Sequence, residues 1–260
     1  MFLKLFFLHI AVLVLNGQNV VINSRISGGQ PATKPYPYQV SLQVNATVYG
    51  RKDMANTFND WGHWCGGSII TNRVVVTAAH CLTDSDDLPI PQEFYSVFVG
   101  SLSLNGNGLR YFLSNNRTHP KYTAKDQNYD IGIITAATEI TFIPKRVEPI
   151  AYTNVETSIG TDCVVTGWGK MGGNADGEDP IHLQELHQRT LSDSECQFNW
   201  DVTQTDICAF SRIEQGFCNG DSGGPLVDVR KQILVGIVSR SRKCGFGTPD
   251  IYVRVSFFYS

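Results

Sequence analysis

From Ile26 onward, apolar sequence comes only in short runs, and this limits the fold more than any other feature of the chain. Examples are Tyr38 to Val44, Ser68 to Thr77, Tyr95 to Val99, Tyr129 to Thr135, Cys163 to Gly167 and Ile233 to Val238. These runs are rich in Val, Ile, Thr and Tyr, which fit a pleated, half-buried surface, and Gly, Asn, Asp or Pro clusters interrupt them. No helical periodicity lies between them, so the pattern predicts an all-β sandwich or barrel. The 260 residues suffice for one large or two smaller β domains, and 42% hydrophobic residues are enough for a sizeable core. Asn45 to Trp61 and Met171 to Pro180 read as exposed loops.

The start of the chain differs from the rest. Lys4 is followed by an apolar run to Leu15, then by polar Asn16, Gly17 and Gln18. A basic start, a short apolar segment and a small residue at a cleavage point match a secretory signal peptide, assigned to residues 1–17. A membrane anchor competes with this reading, but a span needs about 20 apolar residues and this run is shorter. Seven cysteines behind such a leader point to an oxidising compartment and a disulfide framework. Two Asn-x-Thr triplets, at Asn45 and Asn116, are candidate glycosylation sites compatible with export. A net charge of −3 argues against a general nucleic-acid binder.

Three local strings carry chemistry: Thr77-Ala-Ala-His-Cys81 after an apolar strand, Asn128-Tyr-Asp-Ile-Gly-Ile-Ile134, and Gly220-Asp-Ser-Gly-Gly-Pro-Leu226. Each alone has a plain explanation: a surface histidine, a turn-forming aspartate, a tight turn around a serine. In the order His, Asp, Ser they match one arrangement of the acyl-transfer triad. A serine hydroxyl is a poor nucleophile until a base takes its proton, and imidazole has the right pKa near neutrality.

With these strings the chain resembles the trypsin/chymotrypsin family of serine proteases, from about Ile26 to Val255. Tyr38-Gln-Val-Ser-Leu42, Cys65-Gly-Gly-Ser68, Val165-Thr-Gly-Trp-Gly169 and Ile251-Tyr-Val-Arg-Val255 extend the match. The resemblance implies an all-β fold of two six-stranded antiparallel barrels with the active site in the cleft between them. It makes Ser222 the nucleophile, His80 the base and Asp130 the residue that orients His80. The backbone N–H groups of Gly220 and Ser222 become the oxyanion hole, and Ser239 lies beside Asp130 and presents backbone to substrate. Cleavage after Arg25 would free Ile26 to pair with Asp221, so residues 18–25 read as an activation propeptide and 26–260 as the protease domain. The implied disulfides are Cys65–Cys81, Cys196–Cys208 and Cys218–Cys244, with Cys163 left unpaired because its family partner position holds Asp228.

Several positions depart from the family pattern. The pocket-base position that carries aspartate in trypsin-like members is Gly216, which points to chymotrypsin-like or broad specificity. Asp250, where glycine is usual, either faces the cavity and restores affinity for basic residues or turns away after Pro249. Phe217, where small residues are usual, is expected to narrow or cover the base. Ser239-Arg-Ser241 replaces Ser-Trp-Gly, so Arg240 removes an aromatic platform and Ser241 restricts the pocket mouth. Arg240 with Arg242 and Lys243 predicts a preference for acidic residues upstream of the scissile bond. The loop from Asn45 to Trp61 is longer than usual, and the family's C-terminal helix is missing or truncated at Ser260. No metal or other cofactor is expected. Expected partners are protein or peptide substrates, an activating protease and protein protease inhibitors, with no nucleic acid, no membrane after leader removal and a monomeric state. The alternative is a secreted protease-like binding protein with attenuated or no catalysis.

Overall fold

The computed structural model describes residues 27–259 apart from 46, 48–59, 85 and 172–178. The leader, the propeptide, Arg25, Ile26 and most of the two predicted loops lie outside the described residues.

Six strands form the first barrel: β2 (Gln39–Asn45), β3 (Trp61–Ile69), β4 (Val74–Thr77), β5 (Tyr95–Val99), β6 (Leu109–Thr118) and β7 (Gly132–Ala136). They close in the order β2-β3-β4-β7-β6-β5. The period-two rule is visible in β2, where Val40, Leu42 and Val44 point into the barrel with no exposed surface. Their polar neighbours are buried too, because the outer face of β2 meets other parts of the protein. Gln39 Oε1 accepts the Thr166 hydroxyl across the barrels at 2.6 Å, and Gln43 Oε1 accepts Arg110 at 2.7 Å.

The second barrel contains β9 (Asp162–Gly167), β10 (Gln184–Thr190), β11 (Asp206–Phe210), β12 (Pro225–Asp228), β13 (Ile233–Arg240) and β14 (Asp250–Arg254). The order is β10-β11-β14-β13-β12-β9, closed by pairing of β9 with β10. Short β1 (Gln30–Pro31) joins β10, and β8 (Ala151–Tyr152) runs parallel to β13. Two antiparallel barrels of six strands are thus the fold. One apolar cluster fills each barrel, and a third containing Tyr36, Tyr38, Val76, Trp168 and Ile237 lies between them. Full burial of one such side chain contributes about 1.5–3 kcal/mol.

Two expected runs change shape. Ser68 to Thr77 is the end of β3, a turn and β4, because the Thr71 hydroxyl accepts the N–H groups of Arg73 and Val74 and reverses the chain. The Tyr129 to Thr135 run becomes a strand only at Gly132, since Gln127 and Tyr129 adopt left-handed φ values of 53° and 56°. Disulfides join Cys65 to Cys81, Cys196 to Cys208 and Cys218 to Cys244. Cys163 is free and buried, directly opposite Asp228 in the β9–β12 ladder.

Candidate active site

His80 sits on a single 3₁₀ turn, Ala79–Cys81, directly after β4, and the Cys65–Cys81 disulfide ties that turn back to β3. Asp130 precedes β7, the neighbour of β4, so the sheet places the two residues side by side. The His80 Nδ1 atom is 2.8 Å from Asp130 Oδ2, and the His80 backbone N–H donates to Oδ1 at 2.9 Å. The Ser239 hydroxyl, from the second barrel, donates to Oδ2 at 2.7 Å. Burial alone would lower the His80 pKa, but the Asp130 charge and hydrogen bond outweigh it and hold the imidazole above its ordinary value. The His80 side chain keeps 30% of its surface while Asp130 keeps 2%, so the imidazole is accessible and its partner is not.

Ser222 lies on a turn flanked by Gly220 and Gly223, whose φ values are 97° and 76°. Only glycine adopts such angles without strain, and the Gly220 position has a second restriction. A Cβ there would stand 3.1 Å from Gly169 Cα. This turn is fixed to the His80 side of the cleft through Gly66. The Gly66 N–H donates to Ser222 O at 2.7 Å, and Gly66 O accepts the Thr77 hydroxyl at 2.8 Å, three residues before His80. Backbone contact is close here, since a Cβ on Gly66 would meet Gly224 Cα at 2.7 Å. Among the described residues the N–H groups of Gly220 and Ser222 make no hydrogen bond. Two unengaged donors beside a serine are what a developing oxyanion requires. No hydrogen bond joins Ser222 Oγ to His80 among the described residues, and such bonds often tighten only when substrate arrives.

His63 is a site residue that no sequence motif identified. Its Nδ1 lies 2.8 Å from the Ser41 hydroxyl and its Nε2 lies 2.9 Å from Gly220 O. Its ring meets Trp168 edge-on at 5.7 Å. Burial pushes its pKa down to about 4, so at neutral pH it is uncharged, donating from Nε2 to Gly220 O and accepting the Ser41 hydroxyl. A histidine supporting the backbone of a glycine turn has no sequence spacing of its own.

Asp221 is wholly buried, with Oδ1 accepting the Gly169 N–H at 2.8 Å and Oδ2 the Cys218 N–H at 2.9 Å. Burial pushes its pKa up to about 6 against the pull of those donors. Ile26 lies outside the described residues. Its neighbour Ser27 is buried, and Ser27 O accepts the Gly216 N–H at 3.0 Å, which brings the start of the domain to the pocket wall.

The pocket residues divide. A Cβ on Gly216 would stand 2.9 Å from Asp250 Oδ2, so the Asp250 carboxylate lies directly against Gly216. Oδ2 accepts Gln188 Nε2 at 2.7 Å and the Phe217 N–H at 3.1 Å, while Oδ1 takes no hydrogen bond among the described residues. Burial pushes the Asp250 pKa up to about 7, the Gln188 and Phe217 bonds pull it down, and Asp221 adds to the rise.

The expectation for Phe217 is corrected. Its ring turns into the second barrel and packs edge-on to Tyr252 at 5.2 Å, in the apolar cluster that fills that barrel. The expectation for Arg240 is corrected as well. Its guanidinium forms a two-pronged pair with Asp206 at 3.1 and 3.0 Å, and only 12% of its side chain is exposed, so its charge is spent internally. Ser241 is partly exposed at the rim, and exposed Arg242 and Lys243 stack on Trp200 and Phe246. The cluster of Cys65, His80 and Cys81 has the donor types of a metal site, but its two sulfurs are bonded to each other.

Of the sequon asparagines, Asn45 ends β2 and Asn116 lies on β6, where its Nδ2 donates to Ile90 O at 3.1 Å. Among the described residues no helix is long and apolar enough to cross a membrane.

Comparison with known proteins agrees with this arrangement. The family model described as Trypsin matches residues 26–260. Chymotrypsin-2 of Vespa crabro is 33% identical over 236 residues, covering 90% of this chain and 96% of that protein. Trypsin delta and trypsin gamma of Drosophila erecta are each 30% identical over 242 residues, covering 90% of this chain and 86% of theirs.

Proposed function

The chain belongs to the trypsin family of serine proteases, and from that premise we propose a secreted endopeptidase, made as a zymogen, that works through Ser222, His80 and Asp130. The observation that carries this reading is the buried Asp130 carboxylate 2.8 Å from His80 Nδ1, together with the Gly220 and Ser222 N–H groups, which make no hydrogen bond among the described residues. In the reaction the Ser222 hydroxyl attacks the scissile carbonyl while His80 Nε2 takes its proton. Asp130 keeps the ring in the tautomer with hydrogen on Nδ1 and stabilises the imidazolium as it forms. Gly220 and Ser222 N–H groups receive the oxyanion, and losing one such donor costs about 3 kcal/mol of transition-state stabilisation. His80 then protonates the leaving amine, and water hydrolyses the acyl-enzyme by the reverse sequence.

Activation follows from Asp221. Among the described residues the Asp221 carboxylate is held by N–H dipoles with no countercharge, and an unpaired buried charge costs several kcal/mol. Cleavage after Arg25 supplies one, the α-ammonium of Ile26, next to Ser27 at the pocket wall. Specificity is broad, with a bias set by Asp250 in place of the missing Gly216 side chain. Below about pH 7 the carboxyl is neutral and the pocket favours apolar side chains; above it the charge admits Lys and Arg. The relatives carry chymotrypsin and trypsin names at similar identity, in keeping with a pocket of mixed character.

Secretion is supported by the leader and the three disulfides. Glycosylation at Asn116 would have to displace its bond to Ile90. The test of the central reading is labelling by a fluorophosphonate after cleavage at Arg25. Rapid labelling that vanishes in Ser222→Ala is the expected result, and wild-type labelling no greater than that control would overturn it.

A further inference from the structure

The hydrogen bond from Ser239 to Asp130 crosses from one barrel to the other, and both of its ends are irregular backbone. On the second barrel, the β13–β14 register slips between Val238 and Arg240, so Ser239 is the extra residue of a bulge. A bulge re-aims a side chain, here the Ser239 hydroxyl toward Asp130. On the first barrel, Asp130 follows a turn in which Gln127 and Tyr129 are both left-handed. Each such non-glycine residue costs on the order of 1 kcal/mol and persists only where its surroundings hold it.

Arg240 touches both irregularities. It is the residue directly after Ser239, and its Nη1 donates to Gln127 O at 3.2 Å, across the cleft. The guanidinium is in turn fixed by Asp206 on β11, whose carboxylate also accepts the Thr203 N–H at 2.9 Å and hydroxyl at 3.1 Å. From the other side, His119 stacks on Tyr129 at 4.9 Å with 11° between the planes. A planar, two-pronged guanidinium–carboxylate pair is directional as well as attractive, which suits it to fixing geometry.

We propose that Asp206 and Arg240 are positioning residues, a buried clasp that holds Asp130 on His80 by fixing both ends of the Ser239–Asp130 hydrogen bond. The clasp rests on the endopeptidase reading above. It acts through Asp130, so loosening it weakens the support that Asp130 gives the imidazolium. The charged and titratable groups around the clasp include Asp206, Arg240, Arg254, whose Nε donates to Asp206 O at 2.9 Å, and, against Tyr129, His119 and Lys121. Asp130 and His80 face it across the cleft.

The test uses the enzyme cleaved after Arg25. Arg240→Met strands a buried carboxylate, so it is paired with Asp206→Leu/Arg240→Met, in which both charges are replaced by apolar groups, a change that proteins often tolerate. In the double variant kcat on a neutral peptide substrate should fall about tenfold with KM within about twofold. The acidic limb of kcat/KM should move to lower pH by about half a unit, with Arg240→Lys intermediate. A folded double variant with kcat and acidic limb unchanged overturns the clasp, whatever its Tm. So does a change confined to KM for substrates with acidic upstream residues, which would mark Arg240 as a subsite wall.

If the wild type fails to hydrolyse peptides and matches Ser222→Ala, it is the endopeptidase reading that falls. The clasp is then read from the NMR titration of His80. Equal pKa values in wild type and double variant would overturn it there too.

Discussion

Asp130 and Asp250 are both 2% exposed and both accept hydrogen bonds, yet their surroundings treat a buried carboxylate in opposite ways. Asp130 faces an imidazole that can become a cation, and its charge raises the pKa of that imidazole. Among the described residues Asp250 meets only neutral donors, Gln188 and the Phe217 N–H, and its own pKa rises to about 7. Burial penalises a carboxylate in either place. What differs is the partner: Asp130 meets a group that can take up positive charge, whereas the neutral dipoles around Asp250 leave its carboxyl titrating near neutrality. On the proposed reading the first carboxylate supports the imidazolium of His80 and the second biases selectivity with pH.

Changing Asp130 should have the largest effect. Asp130→Asn keeps the shape but favours the wrong His80 tautomer, so kcat should fall about 10⁴-fold in peptide hydrolysis. A loss under tenfold would erase the distinction between the two carboxylates. Next comes Phe217→Ala, which tests whether the ring belongs to the barrel core and not to the pocket. Urea unfolding should show a loss of about 3 kcal/mol, because the ring fills the second barrel. The ratio of rates on Phe and Leu substrates should stay nearly constant, and a strong shift toward larger side chains would return Phe217 to the pocket.

A smaller effect is expected for Asp250→Asn, about tenfold in the preference for Arg over Leu at pH 8 and little at pH 5.5. Stability should move with it in a defined direction. The folded pKa of Asp250, about 7, lies above its ordinary 3.8, so the folded state holds the proton longer and the wild type gains stability as pH falls through 7. Asp250→Asn should therefore stabilise the protein at pH 8, with an advantage that shrinks steadily as pH falls from 7 toward 3.8. His63 carries the opposite sign. Its folded pKa of about 4 lies below the ordinary 6.5, so the unfolded chain takes up the proton first and stability falls as pH drops from 6.5 toward 4. Thermal melts of His63→Gln should lose less of their Tm than wild type over that window, and an equal loss would show that His63 is not the group responsible.

The division between the two carboxylates also explains what could be read in advance. Asp130, His80 and Ser222 are each set in a local string whose backbone they need: a 3₁₀ turn after a valine strand, an acid before an apolar strand, a serine between glycines of positive φ. Local geometry writes itself into local sequence. The pocket is assembled from segments far apart in the chain, so the direction of Asp250 depends on Gln188, and that of Phe217 on Tyr252, neither of which any motif marks. Arg240 reads as a free charge until Asp206 is seen beneath it. Strands β6 and β10 escaped for a related reason. In β6 only Leu113 is buried, and β10 buries polar residues such as Gln184, Glu185 and Gln188, so neither shows an apolar run. Glu185 repays its burial with bonds from Gln30, Thr33 and Tyr36, which fasten the first described segment to the second barrel.

The most direct test is kcat/KM against pH for the cleaved enzyme on two matched peptides, one with Phe and one with Arg before the scissile bond. Both curves should rise on a common acidic limb set by His80. Only the Arg curve should gain a further step near pH 7, and Asp250→Asn should remove it. Parallel curves for the two peptides, or a step that survives Asp250→Asn, would contradict the separate roles assigned to the two buried carboxylates.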